Sequence, residues 1–171
     1  GLLSTASYPV SIDAAPPITA AVVSGNLSNG WYSSVVDIIL TSTDALSGVR
    51  ETYYSLDGAA YAVYQRPLST GGEGAHEVKY YSVDKAGNIE RAGTAEFSID
   101  TVPPAVAYTL TPPANASGWN NSAVSVAFTG TDAVSGVEEC ASGSIAAEGA
   151  NQKLAGWCRD VAGNISYSTA V

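Results

Sequence analysis

Eight side chains that can offer oxygen come as two matching sets: Asp13, Asp44, Asp84 and Asn88 recur as Asp100, Asp132, Asp160 and Asn164. Asp44 and Asp132 are each the second residue of a Thr-Asp-x-x-Ser-Gly-Val segment, and Asp84 and Asp160 each open an Asp-x-Ala-Gly-Asn-Ile segment. These are turn sequences, so each carboxylate sits at the start of a turn. Two chemistries are open to such sets if their turns meet. An oxygen-only cluster suits Ca²⁺, which takes about six to eight oxygen ligands, and an ion there stiffens a junction. Alternatively each Asp caps its own turn by accepting backbone N–H groups, as Asp and Asn do beside Ser-Gly and Ala-Gly.

Other chemistry is sparsely provided. His76 is the only histidine, which removes metal sites built on several imidazoles; it falls on a predicted strand where the second set has Gln152, and reads as a strand residue, not a catalytic base. Glu138 and Glu139 are adjacent on a predicted strand and are expected to face opposite sides, a poor arrangement for paired acid and base work. No catalytic constellation emerges, and no enzyme is expected. Trp31, Tyr32 and Trp119 could form an aromatic platform for surface glycans, or cover the edge of a folded layer. Asn26, Asn115, Asn120 and Asn164 each begin an Asn-x-Ser sequon, which matters only in a eukaryotic secretory route.

Charge narrows the partners. The formal net charge is −9 and only 13% of residues are charged, so no basic stripe exists to neutralise phosphates. Nucleic acid and acidic membrane surfaces are both disfavoured. No apolar run approaches the roughly 20 residues of a membrane span. The chain starts at Gly1 with neither Met nor a leader, so it reads as a mature product or a piece of something longer.

The elements that position these residues follow from an internal repeat. Ile12-Asp13 and Pro16-Pro17 return as Ile99-Asp100 and Pro103-Pro104, and Gly30-Trp31 as Gly118-Trp119, at offsets of 87 or 88. Asp84 to Ile89 returns at an offset of 76, so the second unit has lost about twelve residues. The reading is repeat 1 over 14–100, repeat 2 over 101–171, and residues 1–13 as the last strand of a preceding repeat or an exchanged strand. Within each repeat the apolar period is two: Val36, Ile38, Leu40 answer Val124, Val126, Phe128, and Val78, Tyr80, Ser82 answer Leu154, Gly156, Cys158. Asp57-Gly58 supplies a hairpin turn. The expected fold is all-β, with two tandem antiparallel sandwiches of roughly seven strands each and an N-terminal orphan strand.

The ordered set Ile-Asp…Pro-Pro, Gly-Trp, Thr-Asp-x-x-Ser-Gly-Val, Tyr-Ser-x-Asp-Gly, His-x-Val-x-Tyr and Asp-x-Ala-Gly-Asn-Ile-Glu resembles the bacterial immunoglobulin-like repeats of the OmpL47 type, over nearly all of residues 12–171. Repeat 2 departs from it by lacking the Tyr-Ser-x-Asp-Gly hairpin. The resemblance implies extracellular or cell-surface structural repeats that act as spacers, stalks or assembly modules. Their partners would be neighbouring repeats or other copies of the chain. It leaves two rivals, a carbohydrate-binding or adhesive module and a filament or surface-layer subunit assembling by strand addition. In an immunoglobulin-like sandwich the loop after the second strand and the loop before the last share a pole, so each Asp set should converge where the chain enters its repeat.

Cys140 and Cys158 are too far apart for a redox pair and too few for a zinc cage; they read as a disulfide, which places the chain outside the cytosol. Their repeat-1 counterparts are Thr52 and Ser82. In the sandwich these lie on neighbouring strands and point inward, so a cross-strand bridge is expected.

Overall fold

The computed structural model describes residues 9–171, which contain no helix. Fifteen strands run among them: β1 (Ile18–Ser24), β2 (Leu27–Ser28), β3 (Trp31–Tyr32), β4 (Val36–Thr43), β5 (Val49–Leu56), β6 (Ala62–Val63), β7 (Leu68–Thr70), β8 (Gly74–Asp84), β9 (Gly93–Ile99), β10 (Ala105–Thr111), β11 (Val124–Thr131), β12 (Val137–Cys140), β13 (Ser142–Ile145), β14 (Leu154–Asp160) and β15 (Ile165–Ala170). They form four sheets, ordered β1-β4-β7, β2-β3-β9-β8-β5-β6, β10-β11-β13 and β12-β14-β15. The protein is therefore all-β and sandwich-type. Of the N-terminal strand expected over 1–13, residues 1–8 lie outside the described residues, and 9–17 are in no strand.

The period of two is met where it was read. β4 and β11 share one burial pattern, with Val36, Ile38 and Leu40 buried in the first and Val124, Val126 and Phe128 in the second. Their alternate residues face outward, as a sheet with one covered face requires.

By packing, the chain divides into two compact units. One combines the described residues up to Val22 with Ile38–Leu68 and Glu77–Glu96; the other combines Val23–Asp37, Ser69–His76 and Phe97–Val171.

In the first unit β5 pairs antiparallel with β8 from Val49↔Asp84 to Leu56↔Val78, with a register shift between Val49 and Glu51. Asp57 and Gly58 both have positive φ, 51° and 75°, the backbone of a tight hairpin turn. Pairing with β6 resumes only at Tyr54↔Ala62.

In the second unit β10, β11 and β13 form one ladder and β12, β14 and β15 another. The core gathers Val126, Phe128, Cys158 and Ala170, with Val106, Tyr108, Ile145 and Leu154 packed on it. The chain passes from β12 to β13 through Ala141 alone. Its N–H donates to Trp157 O at 2.8 Å and its carbonyl accepts from Phe128 N–H at 3.3 Å, so one residue is bonded to β14 on one sheet and β11 on the other. In repeat 1 the corresponding path runs through the end of β5, residues 57–67 and β6, and the residues that repeat 2 lacks fall in this stretch.

One expectation needs correction. Glu138 and Glu139 do not diverge: a register shift between Val137 and Glu139 breaks the alternation, and a bulge of this kind re-aims side chains. Both carboxylates reach Arg159, at 2.9 Å to Nε and 2.6 Å to Nη2. At this exposure the pairs add little stability.

Candidate functional site: twin aspartate poles

In the first unit, carboxylate oxygens of Asp13, Asp44 and Asp84 lie within 4.8 Å of one another; in the second unit, those of Asp100, Asp132 and Asp160 do the same. The turns that bring them together are built alike. Asp44 Oδ1 accepts the N–H groups of Leu46 and Gly48 at 3.2 and 2.7 Å, and Asp132 Oδ1 those of Val134 and Gly136 at 3.1 and 2.8 Å. Gly48 and Gly136 have φ of 81° and 83°, a conformation that favours glycine and turns the N–H back on the Asp. Asp84 Oδ1 accepts from Gly87 and Asn88 N–H at 2.6 and 2.8 Å, and Asp160 Oδ1 from Asn164 N–H at 2.8 Å.

The third carboxylate in each pole comes from the entering segment and ties it down. Ser47 N–H donates to Asp13 Oδ2 at 2.9 Å and Ser135 N–H to Asp100 Oδ2 at 3.0 Å. Asn88 Nδ2 bridges Asp84 Oδ2 at 2.7 Å and the Asp13 carbonyl at 3.1 Å; Asn164 Nδ2 bridges Asp160 Oδ2 at 2.9 Å and the Asp100 carbonyl at 2.8 Å. Both asparagines thus join their poles as donors through the amide nitrogen. Ser47 and Ser135 lock the two turns of each pole together by accepting Ala86 N–H at 3.3 Å and Ala162 N–H at 3.2 Å.

The donors stabilise ionised carboxylates. The Ser47 hydroxyl, then the Ser47 and Ala15 N–H groups, hold the Asp13 carboxyl below the usual carboxylate range. Burial pushes the Asp84 carboxyl up, but the Asn88 amide and the N–H groups of Asn88 and Gly87 outweigh it and leave it lowered.

Asp100 does more than close its own pole. Its N–H donates to Tyr32 O at 2.9 Å, while its carboxylate and carbonyl hold Ser135, Val102 and Asn164. It has no exposed surface. Within the second unit it is thus bonded both to β3 and to the turns that follow β11 and β14.

The disulfide is present: Cys140 and Cys158 face each other across β12 and β14 with Cα atoms 4.1 Å apart. Their counterparts Thr52 and Ser82 occupy the same slot in the β5–β8 ladder. There the link is a hydrogen bond of 2.7 Å, part of a chain that sequence reasoning missed: Ser42 to Thr52 at 2.8 Å, Thr52 to Ser82, and Ser82 to Thr19 at 2.6 Å. Thr19 donates to Glu90, which also accepts Ser82 N–H at 2.6 Å. Each hydroxyl has one proton, so the order runs from Ser42 towards the Glu90 carboxylate. The repeat hides this chain because its positions hold Gly130, Cys140, Cys158, Val106 and Ser166 in repeat 2. The serine of each pole, by contrast, was visible in the recurring Ser-Gly-Val.

The aromatic residues do not form one platform. Tyr32 is buried, with its hydroxyl on Val23 O at 3.1 Å and its ring edge-on to Phe97. Trp31 is half-buried, whereas Trp119 is 57% exposed. His76 stacks on Phe97 and donates through Nε2 to Gly72 O at 2.8 Å.

These features define a class, an all-β sandwich-type protein whose turn clusters are braced by triads of aspartates. The chain matches no protein-family model and no curated protein.

Proposed function

We propose that the chain is a pair of non-catalytic spacer repeats of an extracellular protein, similar to the immunoglobulin-like repeats of bacterial surface proteins, whose task is to hold neighbouring modules in place. The observation that carries this reading is Asp100. A joint in which one buried residue bonds both to Tyr32 and to the Ser135 and Asn164 turns resists bending, because any bend must break hydrogen bonds in a site shielded from water. The disulfide supports an oxidising compartment. Among the described residues no helix is long and apolar enough to cross a membrane. Burial of Tyr32 argues against a glycan platform on Trp31 and Tyr32.

The test is replacement in the cell that makes the protein. If residues 14–171 act as a spacer, an unrelated pair of rigid sandwiches of similar length preserves the function of the modules on either side. Loss of function on replacement would mean that a surface of this chain binds something.

A second reading concerns the poles. Two oxygens on one Ca²⁺ stand at most about 5.2 Å apart, given Ca–O distances of about 2.3–2.6 Å, and the triads fall within that reach at 4.8 Å. Asp13, Asp44 and Asp84 would hold one ion and Asp100, Asp132 and Asp160 another, and such an ion would stiffen the same turns. The hydrogen bonds from the turns already give every one of these carboxylates a donor, so bracing is the reading we adopt.

A further inference from the structure

Trp157 has the phase of Tyr81, and the two repeats give that outward aromatic different neighbours. In repeat 1 two further tyrosines pack on it. Tyr53, the partner of Tyr81 in the β5–β8 ladder, stacks on it with ring centroids 5.0 Å apart, and Tyr61 meets it edge-on at the same distance. Repeat 2 has neither of them: the phase of Tyr53 holds Ala141, and Tyr61 belongs to the stretch where repeat 2 lacks residues.

The surface beside Trp157 is open instead. Gly156, Cys158 and Asp160 are buried, so Trp157 and Arg159 project from the other face of β14. On β15, Tyr167 pairs directly with Trp157 and Ile165 with Arg159, and these two partners are 76% and 42% exposed. Two outward cross-strand pairs thus follow one another, about 7 Å apart along the strands. The pair of Arg159 and Ile165 also forms one wall of a cleft of about 790 Å³, completed by Ser28, Asn29, Ser33 and Glu138. All these residues belong to the second unit, and the volume falls within the roughly 300–1,000 Å³ of sites that take small ligands.

We propose that this face binds a neutral oligosaccharide, with sugar rings stacked on Trp157 and Tyr167 and hydroxyls bonded in the adjoining cleft, an activity additional to spacing. Charge selects the ligand first. Arg159 is the only cation among the described residues lining the cleft, and Glu138 and Glu139 already hold it, at 2.9 and 2.6 Å. Two carboxylates around one guanidinium leave the site net negative, so a phosphate, sulfate or carboxylate finds no uncommitted cation. A basic side chain brought to either glutamate would stand beside the Arg159 guanidinium and be repelled by it. A purely apolar ligand would bury the serine, asparagine and glutamate groups without partners. A neutral sugar meets all three demands. Its hydroxyls donate to carboxylate oxygens, which accept several bonds each, and its C–H faces cover the aromatic rings, whose bodies are apolar. Arg159 acts as a positioning residue: its guanidinium lies 6.0 Å from the Trp157 ring and is fixed by the glutamates.

Titration of the full chain with hexasaccharides of glucose, mannose, galactose and N-acetylglucosamine tests this, followed by the NMR signal of the Trp157 indole N–H, which Trp157→Phe assigns. At least one should move that signal saturably, with an affinity little changed between about 0.05 and 0.5 M salt, since no ion pair forms. Tyr167→Ala should weaken the binding by about three- to tenfold, the share of one stacked ring, and leave the melting temperature unchanged because Tyr167 is exposed. Glu138→Gln should weaken it as well. Tyr61→Ala, in the first unit, should leave it as it was. The hexasaccharide of galacturonate should bind more weakly than that of galactose. A Trp157 signal that no neutral hexasaccharide moves, binding that Tyr167→Ala leaves intact, or tighter binding of galacturonate than of galactose would overturn the proposal.

Discussion

Cys158 lies beneath Gly130: a Cβ on that glycine would stand 3.1 Å from both the Cβ and the Sγ of Cys158. Gly130 has the phase of Ser42, whose hydroxyl begins the hydrogen-bonded chain through Thr52 and Ser82. The disulfide thus replaces a polar chain, and the glycine makes room for it. Reducing the bridge, or replacing both cysteines by serine, should cost about 3 kcal/mol for a loop of this size and should act on repeat 2 alone. Differential scanning calorimetry with and without reductant checks this; equal melting of both forms would count against it.

Restoring the polar chain should be cooperative. Gly130→Ser alone crowds the bridge and is expected to cost about 1–3 kcal/mol. In a background with Cys140→Thr and Cys158→Ser the same substitution should cost less or stabilise, and a double-mutant cycle measures the difference.

A second exchange of size sits nearby. Phe128 and Gly156 occupy the phases of Leu40 and Tyr80, and a Cβ on Gly156 would stand 2.2 Å from the Phe128 ring. Gly156→Ala should therefore destabilise by about 1–3 kcal/mol or more. Adding Phe128→Leu should recover part of that loss in urea unfolding, because the smaller side chain is the one repeat 1 uses.

The poles predict a pH dependence with a definite sign. Asp13 and Asp84 have carboxyls lowered from the usual 3.8, so their contribution is complete above about pH 4 and is lost as pH falls through their lower folded values. The melting temperature should be flat from neutral pH to about 5 and fall below 4. Asp13→Asn should flatten the acid limb. Asp160→Asn turns an amide nitrogen towards the Asn164 donors and should cost about 1–3 kcal/mol at neutral pH. Because the turns already supply donors to the carboxylates, EDTA should leave the melting temperature where it was; a fall on chelation, reversed by Ca²⁺, would assign an ion to the poles.

Much of this was legible in the sequence for a physical reason. A repeat compares each position with a second solution to the same packing problem, so Asp44 with Asp132 and Val36 with Val124 announced both turns and core. Where the two repeats solve the problem differently, comparison fails. Thr19, Ser42 and Glu90 have no polar partners in repeat 2 except Ser166, and their chain was invisible. Alternation misplaced Glu138 and Glu139 because a bulge adds a residue without leaving a mark in composition. The direction of the Asn88 and Asn164 amides is set by which backbone groups face them, which spacing alone does not encode.

The central claim is that these repeats are mechanical elements, and pulling on the full chain from its two ends measures that directly. The account predicts two separate unfolding steps. Under reducing conditions one step, and only one, should lengthen by about 6 nm, since the bridge withholds a stretch with a sequence separation of 18 that extends by about 3.3–3.6 Å per residue. A chain that extends without resisting steps, or unfolds in a single step unaltered by reduction, would contradict it.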